Sequence, residues 1–415
     1  MSSAAALAVL VALTTLPLGA ASGLLVSSLA TASVVRFDPA TGRLEGTFVA
    51  PGAGGLEKPD GLTLGPDGNL YVCNEDQSSV LRYDGQTGAS LGTFVSAGSG
   101  GLDICETLVF GADGDLYVAS LRSDAVLRYD GHSGAFRAPF VPSGSGGLDT
   151  PSGIAFGPDG DLYVSSTETD QVLRYDGATG AFRGAFVPTG SGGLHKPLGL
   201  AFGPDGELYV SSLFTHEVLR YDGRSGTFRD AFVTARSGGL DGPYGLGFGR
   251  DGHLYVVSIS NHRVLRYRGS DGTFLDALRG SELRTPTWLA FTPDQAACRN
   301  DPTQVCLAGG RFRLEVTWLV PAGTTSGESG SGRASRLTAD SASFWFFAPT
   351  NVEVVAKVLD ACSFNGHFWV FAGGLTDVAT ALRVTDTRTG AVRTYATASG
   401  EPFPPVRDTT AFACP

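Results

Sequence analysis

The chain has 415 residues, of which 42% are apolar and 17% charged, with a formal net charge of −11. Of the 30 basic residues only three are lysines (Lys58, Lys196 and Lys357), and no basic stripe runs along any segment. This excludes nucleic acid as a partner and argues against an anionic membrane surface. The 58 glycines follow no Gly-X-Y period, which points to many tight turns between short strands.

In chain order, residues 5–18 are one uncharged apolar run followed by small residues, Gly19 to Gly23. This is the pattern of a secretory signal peptide over 1–21, although no Lys or Arg precedes the run. An anchored N-terminus is the other reading. The run is too short to span a bilayer, so no membrane association beyond the signal peptide is expected. Six cysteines fit an oxidising compartment, and the protein is expected to be secreted or periplasmic.

Residues 24–49 supply three strand patterns: Leu24 to Ser27, Val34 to Phe37 and Leu44 to Val49. A longer unit then begins to repeat. Its turn starts at Gly65, Gly111, Gly157, Gly203 and Gly249, a step of 46 residues each time, and reads Gly-Pro-Asp-Gly or a close variant. Leu-Tyr-Val follows at 70, 116, 162, 208 and 254, and Val-Leu-Arg-Tyr at 80, 126, 172, 218 and 264. A fixed period of this length marks a repeat architecture. Each unit reads as four short antiparallel strands, A to D, the size of a propeller blade. After the fifth unit comes Leu289-Ala-Phe, a strand A with nothing behind it. Adding it to the three early strands closes a sixth blade and leaves no open sheet edge.

The unit Pro151-Ser-Gly-Ile-Ala-Phe-Gly-Pro-Asp-Gly-Asp-Leu-Tyr-Val resembles an NHL repeat, as does Ser260-Asn-His-Arg-Val-Leu-Arg-Tyr. The resemblance covers residues 24–294 and implies a six-bladed β-propeller, with limits set at 22–295. It departs from the family pattern just after strand B. There the usual aspartate is Ser28, Ser120, Ser166, Ser212 or Ser258, and Asn74 in one blade. NHL-like propellers include binding modules, gluconolactonase-like metal-dependent lactonases and streptogramin lyases, so the resemblance fixes no function. The ligand motifs of the two enzyme groups do not map onto this chain.

The period stops near Phe291. Residues 296–415 show new strand patterns at Phe312 to Val320, Ser343 to Phe347, Val352 to Leu359, His367 to Phe371 and Ala381 to Asp386. Phe312, Leu314, Val316 and Trp318 alternate with polar residues, the mark of a half-buried strand. Seven or eight strands are expected to form a β-sandwich, similar to an accessory module of exported bacterial proteins. Trp318, Trp345 and Trp369 read as core, and Gly323 to Ser335 as a mobile loop. Cys298–Cys306 and Cys362–Cys414 are expected pairs.

A repeat contains its own control: matching positions serve the blade, and divergent ones are candidates for function. The B–C and D–A loops of a propeller share one face, around the channel mouth. The residue after the proline that opens strand A should ring that mouth. It reads Asp60, Glu106, Ser152, Leu198, Tyr244 and Thr287. Asp60, Asn74, Glu75 and Glu106 gather off-pattern oxygen donors in one sector, beside an expected Cys73–Cys105 disulfide. Such a set suits Ca²⁺; solvated loop acids beside a staple are the plain alternative. Ser152, Leu198, Tyr244 and Thr287 are candidate ligand contacts. A second ring, Glu57, Asp103, Asp149, His195 and Asp241, is acidic except for His195, the best single candidate for a general base, for which no carboxylate partner is evident. His216 and His262, 46 residues apart, read as structural.

The sequence therefore favours a non-enzymatic module that binds a protein, a small molecule or a carbohydrate on the channel-mouth face. A Ca²⁺-dependent lyase or lactonase-type hydrolase is the alternative, and a structural surface scaffold a third.

Overall fold

The computed structural model describes residues 23–85, 87–292, 298, 300–320, 329–387 and 391–414. The expected signal peptide and the 295/296 boundary lie outside the described residues.

The described chain is all-β apart from short 3₁₀ turns and one four-residue helix. Six sheets have four antiparallel strands each, and two further sheets have five. In the sheet that carries Ser152, the strands are Pro151–Phe156, Leu162–Ser166, Gln171–Tyr175 and Phe182–Val187, in that spatial order. The A strands of the six four-stranded sheets are Pro59–Leu64, Cys105–Phe110, Pro151–Phe156, Pro197–Phe202, Pro243–Phe248 and Pro286–Phe291. Each packs on the next, and the last packs on the first. Leu24, Leu25 and Val26 pair with Phe291, Ala290 and Leu289, so the last A strand joins the three earliest strands in one sheet.

The repeated residues explain the repeated sheet. The tyrosine of Leu-Tyr-Val is at most 1% exposed in all five units. Tyr163 lies edge-on to Phe186 of its own sheet and Phe202 of the next, with ring centroids at 4.8 and 4.9 Å. Each such pair is worth about 0.5–1.5 kcal/mol beyond its burial. Its hydroxyl donates to Asp159 of the Pro-Asp-Gly turn, and that carboxylate also accepts the Asp161 N–H. The tyrosine of Val-Leu-Arg-Tyr reaches backward instead. Tyr175 Oη donates to the Ser145 carbonyl in the preceding D–A loop.

A further clamp links neighbouring sheets across the B–C and D–A loops. The backbone N–H of Ile104, Thr150, Lys196, Gly242 and Thr285 each meets an acceptor from the preceding sheet: Ser78, Asp124, Asp170, His216 and His262. This gives His216 and His262 the structural role expected of them.

Around the axis the A strands approach closely. A Cβ on Gly199 would lie 2.4 Å from the Tyr244 carbonyl oxygen, and one on Gly153 would lie 2.2 Å from that of Leu198. Two sheets break this glycine position, with Thr107 and Trp288.

The two five-stranded sheets are formed from residue 304 onward. One buried cluster draws on both: Phe312, Leu314, Val316, Leu382 and Val384 from one, and Phe344, Val358, Phe368, Val370 and Phe412 from the other. Two expectations need correction. Ser329–Ser331 and Arg333–Arg336 are strands, because the polar segment pairs with Thr317–Leu319 and with Ala342–Trp345; residues 321–328 lie outside the described residues. Trp318, Trp345 and Trp369 are partly exposed rather than core. Strand alternation puts Trp318 in line with Phe312 and Val316, but it lies at the strand's end, against Phe346 and Phe347.

Candidate functional site

All three expected disulfides are present: Cys73–Cys105, Cys298–Cys306 and Cys362–Cys414. The first joins strand B of one sheet to strand A of the next, where cysteine replaces the opening proline.

The six ring residues converge, but not as an open mouth. Asp60, Glu106, Ser152, Leu198 and Thr287 are at most 5% exposed, and Tyr244 is partly exposed. Tyr244 crosses to the sheet opposite its own in ring order, where its hydroxyl donates to Glu106 Oε1 at 2.6 Å. Glu106 also accepts from Asp60 and Ser152. Asp60 is bonded to Glu106 and to Thr287, whose hydroxyl is 2.9 Å from Ser27 Oγ. Two buried carboxyls in hydrogen-bond contact cannot both ionise without a large penalty. Burial and then the Glu106 charge raise the Asp60 proton affinity well above the aspartate range. Asp60 therefore holds the shared proton and Glu106 accepts it. Burial likewise raises Glu106, against the donors that favour its ionised form. Tyr244 is pushed well up by burial and then by the Glu106 charge, so it stays a donor. One acceptor remains unused: Asp60 Oδ1 is buried with no partner, as is the indole N–H of Trp288.

The expected metal set is only partly brought together. Glu75 follows Asn74 and donates its N–H to the Lys58 carbonyl, two residues before Asp60, and its charge acts on Asp60, Glu106 and Tyr244. Asn74 is turned away. Its Oδ1 accepts from Glu57 N and Lys58 N at 3.0 Å each, and its Nδ2 donates to the Gly55 carbonyl. Among the described residues, the one cluster of three or more acidic, His or Cys ligand atoms within 4.8 Å of one another is Asp360, Cys362 and Cys414, and both cysteines are in a disulfide. A calcium ion needs six to eight oxygens. With Asn74 spent and Asp60 bonded to Glu106, this donor set does not fit Ca²⁺.

His195 is exposed on the outer ring. The expected absence of a carboxylate partner is corrected: its Nδ1 lies 3.2 Å from both oxygens of Asp170, which comes from the preceding B–C loop. Its ring meets Phe214 edge-on at 5.2 Å. Its partners are therefore rim residues and not the axial carboxyls. Glu57, Asp103 and Asp149 are also exposed, and Asp241 is partly so.

Sequence reasoning missed a further ring. The first residue of each B–C loop donates its N–H to the carbonyl two residues before the axial one: Leu29 to Thr285, Glu75 to Lys58, Leu121 to Ile104, Thr167 to Thr150, Leu213 to Lys196 and Ile259 to Gly242. Thr167 Oγ1 lies 3.2 Å from Ser152 Oγ, so in that sheet the ring residue touches the axial one. It was visible as a second divergent position in the repeat.

No family model matches the sequence, and no curated protein matches it. Solved structures do. A chain of the nidogen/laminin complex superposes with a TM-score of 0.54 at 17% identity, over 66% of this chain and 99% of that one. A protein of unknown function from Bacteroides caccae gives 0.50 at 14% identity, over 66% and 99%. The fold is a β-propeller of the NHL type. A streptogramin B lyase also matches this propeller, with a TM-score of 0.47 at 14% identity, over 67% of this chain and 92% of that one.

Proposed function

We propose that residues 22–295 form one closed six-bladed propeller, that residues 296–415 form an accessory β-sandwich, and that the propeller binds a ligand or a protein through its channel-mouth face. The six A strands packing in a ring, with Leu24–Val26 clasping Leu289–Phe291, support the blade count. The buried cluster shared by both five-stranded sheets supports the sandwich. An extracytoplasmic location fits the three disulfides. Among the described residues no helix is long and apolar enough to cross a membrane.

One observation carries the binding reading. The axial acids are engaged with each other and with Tyr244, and His195 stands apart with Asp170, so the candidate base and the axial acids do not act on a common space. Divergence is concentrated on this face. Ser152, Leu198, Tyr244 and Thr287 form the floor of the proposed binding face, with His195 on its rim. The alternative, a metal-dependent lyase or lactonase-type hydrolase, draws support from the partnerless Asp60 Oδ1.

Trace-metal analysis after gentle purification, with a lactone turnover assay and a small-molecule screen by protein NMR, separates the two. The binding reading expects no stoichiometric metal, no turnover, and hits whose shifts vanish when Leu121 and Leu213 are changed to arginine. One tightly held Ca²⁺, lost with Asp60→Ala plus Glu106→Ala and accompanied by turnover, sinks it.

A further inference from the structure

We propose that the channel-mouth face holds a tetrahedral oxyanion, a phosphate or sulfate group, in a cavity beside the last D–A loop; this rests on the binding reading above and gives that face a ligand class. The end of strand D and the start of the next strand A stand ten positions apart at five junctions, as at Val95 and Cys105, but eight apart at Leu278 and Pro286. Each longer loop carries a 3₁₀ turn, such as Ser237–Gly239, and residues 279–285 carry none. Both neighbours of the short loop show the loss. Tyr83, Tyr129, Tyr175, Tyr221 and Tyr267 donate to carbonyls of the longer turns, whereas the residue that meets the short loop is Phe37, which has no hydroxyl. The N–H groups of Gly98, Gly144, Gly190 and Arg236 donate to the carbonyls of Ser78, Asp124, Asp170 and His216; among the described residues the matching His262 carbonyl receives no such bond. At this place lies a cavity of about 310 Å³, lined by His262, Arg263, Arg279, Ser281 and Arg284 among others. Small-molecule sites begin at about this volume.

The lining sets the charge and the hydrogen-bonding sense of the ligand. Among the described residues, the guanidinium groups of Arg263, Arg279 and Arg284 have neither an ion-pair partner nor a side-chain hydrogen bond. Two of them also break the repeat. Arg284 stands in the outer ring where Glu57, Asp103, Asp149 and Asp241 stand, and Arg263 where Ser79, Ala125, Gln171 and Glu217 stand. The acids on either side in that ring are engaged: Asp241 lies 3.2 Å from His216 Nδ1, and Glu57 accepts from Gln77 Nε2. Glu282, in the loop itself, is not part of the cavity wall. His262 gives a second, independent indication. Its Nδ1 accepts the Thr285 N–H at 3.0 Å, so the ring proton sits on Nε2, and that N–H has no partner among the described residues. In the preceding sheet His216 Nε2 lies 3.1 Å from Arg236 Nη2, on the longer loop. The short loop thus leaves a cavity that offers guanidinium and imidazole donors. A carboxylate presents two oxygens in one plane, whereas a phosphate or sulfate group presents at least three that diverge, which separate guanidinium forks can share. Arg263 Nη1 lies toward the preceding loop, 4.0 Å from where a Cβ on Gly239 would stand, so Arg279 and Arg284 are the principal contacts.

The test is calorimetric titration of the full chain with inorganic phosphate, sulfate, glycerol 3-phosphate and acetate at neutral pH and low salt. The expected result is one site for the tetrahedral anions, with acetate at least about tenfold weaker. Arg279→Gln and Arg284→Gln should each weaken phosphate about tenfold or more. Their urea midpoints should not move, because both side chains are exposed. Arg279→Lys combined with Arg284→Lys keeps the charge but removes the forks, and should also weaken binding; attraction by charge alone would leave it unchanged. Ser281→Trp, an uncharged change at an exposed lining residue, should block the cavity. Tighter binding of glycerol 3-phosphate than of phosphate identifies a group carried on a small molecule; equal or weaker binding identifies the free anion. The proposal is overturned if acetate matches phosphate, if the double lysine variant binds as well as the parent, or if the glutamine variants change nothing. If no oxyanion binds while ligands sensitive to Leu121 and Leu213 do, the inference falls and the binding reading stands. If nothing binds this face, both fall.

Discussion

The two rims of the propeller are built by opposite rules. On the A–B rim one arrangement recurs: Asp67, Asp113, Asp159, Asp205 and Asp251 each accept a backbone N–H and the hydroxyl of Tyr71, Tyr117, Tyr163, Tyr209 or Tyr255. On the B–C rim the first loop residue is Leu, Glu, Leu, Thr, Leu and Ile in turn. Constancy on one rim shows what a sheet requires; variation on the other shows where the chain is free to meet something else. Even the constant rim tolerates exchange where charge alone matters. Arg128 pairs with Asp115, just before the neighbouring strand B, whereas Arg220 pairs with Asp230 on strand D.

The strongest way to break this contrast is Tyr163→Ala. It removes a buried ring wedged between two phenylalanines, and urea unfolding should show a loss of about 3–5 kcal/mol. Phe214→Ala on the opposite rim, at an exposed side chain, should stay within about 0.5 kcal/mol. Comparable losses at both sites would refute the division.

The axis lies between the rims and should respond almost as strongly. Glu106→Ala deprives Tyr244, Asp60 and Ser152 of their shared acceptor, and a loss of about 3 kcal/mol is expected. Glu106→Gln, which keeps an acceptor oxygen, should cost clearly less by the same measurement.

The pH dependence sharpens the point. Asp60 binds its proton more tightly folded than unfolded, because burial and Glu106 raise it. Its linkage therefore favours the folded state in acid and fades as pH rises from the ordinary aspartate range to the raised value, above which it is flat. The slope from one proton is at most about 1.4 kcal/mol per pH unit. Asp60→Asn, which imitates the protonated form, should flatten that fall in a series of urea midpoints. Asp130, lowered to about 2 by bonds from Ser133, titrates below this window, whereas Glu106 and Glu75, raised by burial, share it, so Asp60→Asn should flatten the fall without abolishing it.

The sheet was legible because repetition removes ambiguity: five copies of Leu-Tyr-Val and Val-Leu-Arg-Tyr at one spacing outweigh any single propensity. The Leu289–Phe291 closure was legible from a strand count at the two ends. The site was legible only as a set of positions. That Asp60 and Glu106 would share a proton, and that Tyr244 would reach across to them, depends on side-chain length across a ring, which no linear spacing encodes. Trp288 was missed because a tryptophan in a strand reads as ordinary core, although it stands where Gly61, Gly153, Gly199 and Gly245 stand in other sheets.

Asn74 is the instructive error, and it yields the finest test. It was singled out as a ligand because it departs from the serine found elsewhere, yet its departure answers another one 42 residues earlier in the chain. Of the two loop N–H groups, Ser120 Oγ accepts Asp103 N alone, since Ser78 takes the neighbouring Ile104 N. In the equivalent place Ala32 has no acceptor for Lys58 N, and the longer Asn74 accepts from both Glu57 N and Lys58 N. Asn74→Ser should therefore cost about 1 kcal/mol, the worth of one backbone hydrogen bond. Ala32→Ser, at a left-handed position where Ser78 already shows serine is accommodated, should restore most of that loss in the Asn74→Ser background. In the parent it should change little. A double-mutant cycle in urea reads the coupling directly, and additivity between the two sites would mean that Asn74 diverges for a reason of its own.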